Sequence, residues 1–509
     1  MPDRIQQKKT VGLGGLNEKQ DTLSLTLFPG LLQKSINFEP GLNGGYSRLQ
    51  GYTKYDTNEL AGTGKVLGVD VFNGGVIAAR ENVSGDSDIY HSTGTGWGTK
   101  INSDTRANQG TFRFWTYNWT GTENVIGVDG NYNAFRYDGT TYTLLNGTGA
   151  PADPAFVTEF KDHIFLAGQS ASNSSLVFSG PADETKWQTI DGGGEIVIGD
   201  EIMGLHALRD QLIILCRNSI HRLTGNNLFD FQLQPITERI GCVASDTAVE
   251  VAGDLLFLSA DGIRTIKSTE DFGGIGLASL TSDIQSRTTD AIGSANIVSV
   301  PVKTKSQYRM FYSGASTPVA DALGILLGLR KQNDGQIAWE PHTTLGIRAS
   351  SAASGYVSNV ELVVHGSVDD GFVFQQESGN SFNSANVEAS IKFVDEDLGD
   401  PTIRKRYHRL HTFLRPEGVA NIEVKLVLDR GIATIAQPSA FFITQTGGKA
   451  LWGSAIWDTD LWAGVDAELD KKDLVGSSFL FGVQYATDDT NPPYSIHGYV
   501  IEFVGLDRR

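Results

Sequence analysis

Gln211-Leu212-Ile213-Ile214-Leu215 is a short apolar run, and Ser219-Ile220-His221-Arg222-Leu223 follows it across a polar turn. Two such runs joined by a turn read as a β-hairpin. The first run lacks the apolar/polar alternation of a half-exposed strand, so it reads as a strand covered on both faces. The same unit recurs along the chain. Gly75-Val76-Ile77-Ala78-Ala79, Asn124-Val125-Ile126-Gly127-Val128 and His163-Ile164-Phe165-Leu166-Ala167 precede it. Asp254-Leu255-Leu256-Phe257-Leu258, Tyr308-Arg309-Met310-Phe311-Tyr312 and Glu361-Leu362-Val363-Val364-His365 follow. Most have a partner strand within about a dozen residues, such as Asn133-Ala134-Phe135-Arg136-Tyr137, Gly262-Ile263-Arg264-Thr265-Ile266 and Gly371-Phe372-Val373-Phe374.

The units are spaced by roughly 40–55 residues, the length of a four-stranded propeller blade. Residues 61–383 therefore predict a β-propeller of six or seven blades, against the alternative of unrelated hairpins in a sandwich. Helical periodicity is nearly absent, the best stretch being Leu280 to Ala291. Residues 1–60 lack the repeat; Leu13-Gly14-Gly15-Leu16-Asn17 and Ile36-Asn37-Phe38-Glu39-Pro40-Gly41 read as an extended N-terminal arm lying across other surfaces. From 384 to 509 the character changes again. Asn421-Ile422-Glu423-Val424-Lys425-Leu426-Val427-Leu428 alternates as a half-buried strand should, and Phe479 to Tyr485 and His497 to Phe503 behave alike. This predicts a C-terminal antiparallel β-sandwich or barrel, and an all-β protein overall. Within it, Trp452, Trp457 and Trp462 stand at five-residue steps, which suit neither a helix face nor a strand face. They read as a packed loop or a subunit contact.

Composition agrees. The 509 residues include 59 glycines, many tight turns for many short strands, but only 2 cysteines and 3 methionines. Cys216 and Cys242 cannot build a disulfide framework, so they are expected as buried thiols of a chain folded in a reducing cytoplasm. Met1 to Lys9 has no apolar core and is not expected to act as a secretory signal. The longest apolar run, Ala322 to Leu329, is too short for a membrane span. The formal net charge is −18. A protein that grips phosphate is expected to be basic, so this one should repel nucleic acid.

Catalytic signals are weak. There is no Gly-x-Ser-x-Gly elbow and no phosphate-binding Gly-x-x-x-x-Gly-Lys loop. His408 and His411 lack further ligands for a metal, and Asp191-Gly192-Gly193-Gly194-Glu195 carries acids that would repel phosphate. Asp183 with Glu184, or Asp395 with Glu396 and Asp397, are the carboxylates a propeller glycosidase would need; adjacent acids in polar stretches read as solvated turns. No catalytic, cofactor or metal residue is assigned. One charge feature stands out. Arg404-Lys405-Arg406-Tyr407-His408-Arg409 is a dense basic run, just after Asp395-Glu396-Asp397-Leu398-Gly399-Asp400. On a regular strand Lys405 and Arg409 share one face, Arg404 and Arg406 the other. The run reads either as internal charge balance or as a contact with an acidic subunit or passing DNA. The expected partner-interface residues are thus Arg404, Lys405, Arg406, Arg409, Trp452, Trp457 and Trp462.

The pattern resembles the nozzle, or tail-hub (tail tubular B-like), proteins of short-tailed bacteriophages. The pieces that carry it are Ile36-Asn37-Phe38 to Gly51-Tyr52-Thr53, the hairpins from Phe160 to Ile266, the Trp452/Trp457 stretch and Ile501-Glu502-Phe503. The resemblance implies a structural virion protein, a homohexameric ring with one propeller per subunit, and a central conduit that retains viral DNA and passes it during ejection. It implies neighbours in a tail adaptor (head-to-tail connector) protein and in distal tail needle or fibre proteins. It also implies assembly in the host cytoplasm, and it supplies no catalytic residues. Six copies would carry about −108 (six times −18), a wall past which phosphate slides without sticking. A receptor-binding fibre or adhesin and a propeller glycoside hydrolase are the competing readings.

Overall fold

The computed structural model describes residues 5–20, 22–42, 44–107, 110–272, 279–331, 335–432, 434–445 and 468–506. It is an all-β protein, 52% strand and 7% helix. The chain forms two compact units that are not the three consecutive blocks expected. One comprises residues 54–322 and 348–376; the other comprises 1–53, 323–347 and 377–509.

The first unit is a β-propeller with six blades of three or four strands. They begin at Thr63–Phe72, Arg113–Tyr117, Phe156–Phe160, Ile202–Leu208, Val249–Val251 and Ala349–Val357. A two-stranded hairpin, Asn296–Val302 with Gln307–Ser313, adds a further segment between the fifth and sixth blades in sequence. Each of the seven apolar segments read from the sequence is the second strand of a blade or of this hairpin. Their burial explains their composition. All five residues of Asn124–Val128 are buried, as are the last five of Gln211–Cys216, whereas no residue of the outer strand Gln232–Thr237 is. A second strand has a neighbouring blade on each face, so both sets of its side chains leave water, at about 1.5–3 kcal/mol for each large aliphatic one. Accordingly the core is divided into layers between blades. Leu212 and Ile214 pack with Phe165 and Phe178 of the third blade, while Ile213 and Leu215 pack with Leu255 and Phe257 of the fifth.

Four of the first-to-second strand turns are two-residue loops with both φ values positive: Asn73-Gly74, Lys161-Asp162, Ala252-Gly253 and Ser358-Asn359. That geometry matches the strand twist. Only Asn73-Gly74 has the sequence typical of such a turn; at Lys161-Asp162 the pairing of Phe160 with His163 imposes it. The expected helix near Leu280 is short, Gln285–Ile292.

The second unit is a sandwich. One sheet runs Phe38–Pro40, Tyr46–Arg48, Tyr494–Gly505, Lys405–Pro416, Glu468–Asp473, with Gln6–Val11 also paired to Tyr494–Gly505. The facing sheet contains, in order, Leu323–Lys331, Ile337–Leu345, Leu32–Ile36, Val387–Phe393, Phe481–Asp489, Ala420–Leu428 and Phe441–Gln445. Buried aromatics join the two: Phe393 to Tyr499 at 5.4 Å and Tyr407 to Phe481 at 4.8 Å between ring centroids. The alternating stretch found in the sequence lies in the strand Ala420–Leu428, with burial alternating along its length. The expected extended arm lying across other surfaces is instead built into the sandwich: Leu32–Ile36 lies inside a sheet, paired to Val387–Phe393.

Candidate functional site

Two places in the molecule could carry function: the axis of the propeller, and the sandwich surface around the basic run. The first strands of the blades converge on a partly open space of about 220 Å³. It is lined by Asp70, Arg113, Phe156, His206, Val249 and Ser351 of the six blades and by Val298 of the hairpin. Arg113 reaches across to Asp246 in a two-pronged pair, Nε to Oδ1 at 2.6 Å and Nη2 to Oδ2 at 3.0 Å. Its Nη1 donates to the Ala155 carbonyl at 3.0 Å, and its guanidinium lies 4.7 Å from the centre of the Phe156 ring.

Asp70 and Asp246 are the carboxylates lining this space. Burial pushes Asp70 up to about 7, against the opposing hydrogen bond from the Val71 N–H at 2.8 Å. Burial likewise pushes His206 down to about 4, leaving its ring neutral at pH 7. Sequence reasoning missed both residues. The available signal was an acid inside the apolar strand Val69-Asp70-Val71-Phe72. The folded protein holds the Asp70 proton up to about pH 7, whereas the unfolded chain releases it near 3.8. This group's contribution to stability is thus complete below about pH 4 and is lost as pH rises to about 7. Asp70→Asn is expected to remove that slope, raising the melting temperature at pH 8 by about 2–4 °C per kcal/mol recovered. Melting curves from pH 4 to pH 8 check this; parallel curves for both proteins would refute it.

The basic run sits on the strand Lys405–Pro416 and its approach. A β-bulge where this strand pairs with Tyr494–Gly505, between Tyr407 and Arg409, inserts one extra residue. The alternation changes phase there: Lys405 and Tyr407 are buried before it, Leu410, Thr412 and Leu414 after it. Lys405 and Arg409 therefore do not share a face, contrary to the regular-strand expectation. Lys405 is 2% exposed, and its ammonium donates to the carbonyls of Asp400 and Phe479, so no partner reaches it. Arg404 and Arg406 are exposed, Arg404 donating to the Ser477 carbonyl at 3.0 Å. Arg409 pairs with Asp473 at 2.8 Å. Trp452, Trp457 and Trp462 lie outside the described residues.

The paired acids also differ from solvated turns. Glu184 is buried and pairs with Arg136 at 2.6 Å. Asp395 is buried beside Lys392, and buried Glu396 accepts from Thr10 and, at 2.8 Å, from the Tyr499 hydroxyl. Asp183 and Asp397 are turn acids: Asp183 holds the Thr185 N–H and hydroxyl, and Asp397 accepts the Gly399 N–H at 2.9 Å. His411 contacts Glu502 at 3.0 Å, and among the described residues no group of three or more ligating side chains could hold a metal ion.

Residues 93–273 match the family Phage_stabilise, described as bacteriophage P22 Gp10, beta-propeller. The match supports a phage tail-related protein. It covers the second to fifth blades, just over a third of the chain. No curated protein matches the sequence. Solved structures that resemble the chain include Raptor from Chaetomium thermophilum, at 9% identity over 66% of this chain and 29% of that one, TM-score 0.37. Others are an exo-β-1,3-galactanase from Phanerochaete chrysosporium (9% identity, 89% and 100% coverage, TM-score 0.28) and the extracellular domain of a hybrid two-component system from B. thetaiotaomicron (10%, 73% and 44%, TM-score 0.40). The chain spans less than a third of the length of the first of these. Among the described residues no helix is long and apolar enough to cross a membrane.

Proposed function

We propose that the chain is a non-enzymatic structural subunit of a short phage tail, a nozzle ring of six copies. Such a ring sits between an adaptor and a distal needle or fibre, in virions assembled in the host cytoplasm, and retains viral DNA before letting it pass. The family match on the second to fifth blades carries this reading. The propeller axis supports it in two ways. At about 220 Å³ it is smaller than the ~300–1,000 Å³ of typical ligand pockets. One of its two carboxylates is already tied to Arg113, whereas glycoside hydrolysis needs two working carboxyl groups flanking the bond. A duplex whose major groove alone is about 12 Å wide cannot enter so small a space, so the conduit must lie between subunits. The net charge of −18 suits a passage that phosphate traverses without binding.

Electron microscopy and sedimentation of the purified protein test the proposal. Six-fold rings, alone or on adaptor complexes, are the expected result. Trimers would favour the adhesin, and turnover of a glycan would favour the hydrolase; either would overturn the nozzle reading.

A further inference from the structure

One sheet of the sandwich ends in an open strand on each side. Its strands Gln6–Val11, Tyr494–Gly505, Lys405–Pro416 and Glu468–Asp473 each pair antiparallel with the next. Among the described residues the first and last of these have no second partner. A row of unpaired N–H and C=O groups is a template for another strand. Both rows lie in water: Gln6 to Lys9 are exposed on one side, and Leu469, Lys471, Lys472 and Asp473 on the other. The ladders show which groups are free. The Gly12 N–H donates to the His497 carbonyl at 3.0 Å in the register of the strand, so alternation turns the backbone of Gln7 and Lys9 outward. The Leu474 N–H donates to the His408 carbonyl at 2.8 Å, which turns the backbone of Leu469 and Lys471 outward in the same way.

From this geometry we infer that the open edge of Gln6–Val11 pairs with the open edge of Glu468–Asp473 in a second copy of this chain. The inference rests on the ring proposed above and supplies a contact that would join its members. Three observations fit the two edges to each other. The first is direction. With four alternating strands, the outer two run antiparallel to one another. Rotation about an axis along the strands preserves direction, so a neighbour's Glu468–Asp473 arrives antiparallel to Gln6–Val11 and continues the ladder. Unlike edges that meet head to tail are the kind of contact that closes into rings.

The second is the pleat. Thr10 and Leu474 are buried, so Gln7, Lys9, Leu469 and Lys471 all lie on the sheet's solvent face. At both edges the residues with outward backbone thus have solvent-facing side chains, and the two sheets join face to matching face. The third is charge. Gln7 and Lys9 must then stand opposite Leu469, Lys471 or Asp473, and two registers of that kind align five residue pairs. One sets Lys9 opposite Lys471 and Lys8 opposite Lys472, like charges that repel. The other sets Gln7 opposite Lys471, Lys9 opposite Leu469 and Lys8 opposite Asp470, with opposite charges paired and no like charges facing. The second register is the one assigned here.

Two full-length variants, one carrying Gln7→Cys and the other Lys471→Cys, test the inference when mixed under assembling conditions and oxidised. Native Cys216 and Cys242 are buried and should not interfere. Within one chain the two positions are three strand spacings apart, about 14 Å, beyond the reach of a disulfide. A disulfide-linked dimer that needs both variants is the expected product. In parallel, Lys9→Pro removes an outward N–H and none of the ladder to Tyr494–Gly505. It should raise the concentration for half-assembly at least tenfold, with circular dichroism unchanged. Rings that form without the mixed disulfide, or that Lys9→Pro leaves unaffected, overturn the inference and leave the nozzle reading standing. So does a Gln7→Cys variant that links to itself, which would mark a two-fold contact. A protein that stays monomeric at every concentration overturns both.

Discussion

Arg106→Ala is expected to destabilise the propeller by about 3–5 kcal/mol, the usual cost of leaving one member of a buried ion pair alone. The Arg106 side chain is fully buried between the first and second blades in sequence, with every nitrogen engaged. Nη1 binds Asp129 Oδ2 at 2.7 Å, Nη2 donates to the Asn133 carbonyl at 2.9 Å, and Nε lies 3.1 Å from Asp104. Nε and Nη2 both donate to the Tyr142 hydroxyl, which passes its own proton toward Asp104 at 2.7 Å. The guanidinium also stacks 4.9 Å from the centre of the Phe135 ring. Alanine would strand the Asp129 carboxylate, 2% exposed, whose other oxygen holds the N–H groups of Asn131 and Tyr132. The loss corresponds to a fall in melting temperature on the order of 10 °C. Arg106→Lys should recover only part of it, because an ammonium keeps the charge but not the planar fork. Calorimetry decides; a shift below about 2 °C for alanine would mean the network adds nothing.

Glu340→Ala is expected to act as strongly on the sandwich, and through the N-terminal residues. Glu340 is fully buried, and Arg330 Nη2 lies 2.9 Å from its Oε2. The pair is a clasp for glycine loops. Glu340 Oε1 accepts the Gly14 N–H at 2.8 Å, and Arg330 donates to the carbonyls of Gly12, at 3.1 Å, and Gly45. Gly45, at φ +69°, has the Ile496 carbonyl oxygen 2.3 Å from where a Cβ would stand, so only glycine lets the loop come this close. Without the carboxylate, Arg330 is left with an uncompensated charge, at about 3–5 kcal/mol. Limited proteolysis should then cut within residues 12–45 well before the rest of the unit. Glu340→Gln keeps an acceptor for Gly14 and should fall between wild type and alanine. An unchanged cleavage pattern for alanine would show that the N-terminal residues are held by strand pairing alone.

What could be read in the sequence was whatever burial alone specifies. A second blade strand is covered on both faces wherever its neighbours come from, so its apolar run and its turn are visible in a dozen residues; hence all seven segments, the blade spacing, and the alternation of Ala420–Leu428. Asp70 left a trace of the same kind, an acid within an apolar strand. Pairing is another matter, because a strand's hydrogen-bonding edge looks alike whichever partner it takes. Only the tertiary structure placed Leu32–Ile36 beside Val387–Phe393 and gathered residues 1–53, 323–347 and 377–509 into one sandwich. The same holds for the bulge after Tyr407. One extra residue there is a matter of register with a strand about 90 positions away, yet it reverses which side of the sheet Arg409 occupies, and Lys405 is buried by the same pairing. Periodicity is local and survives in the sequence, while partner and register are set by long-range closure of the chain, which leaves no local mark.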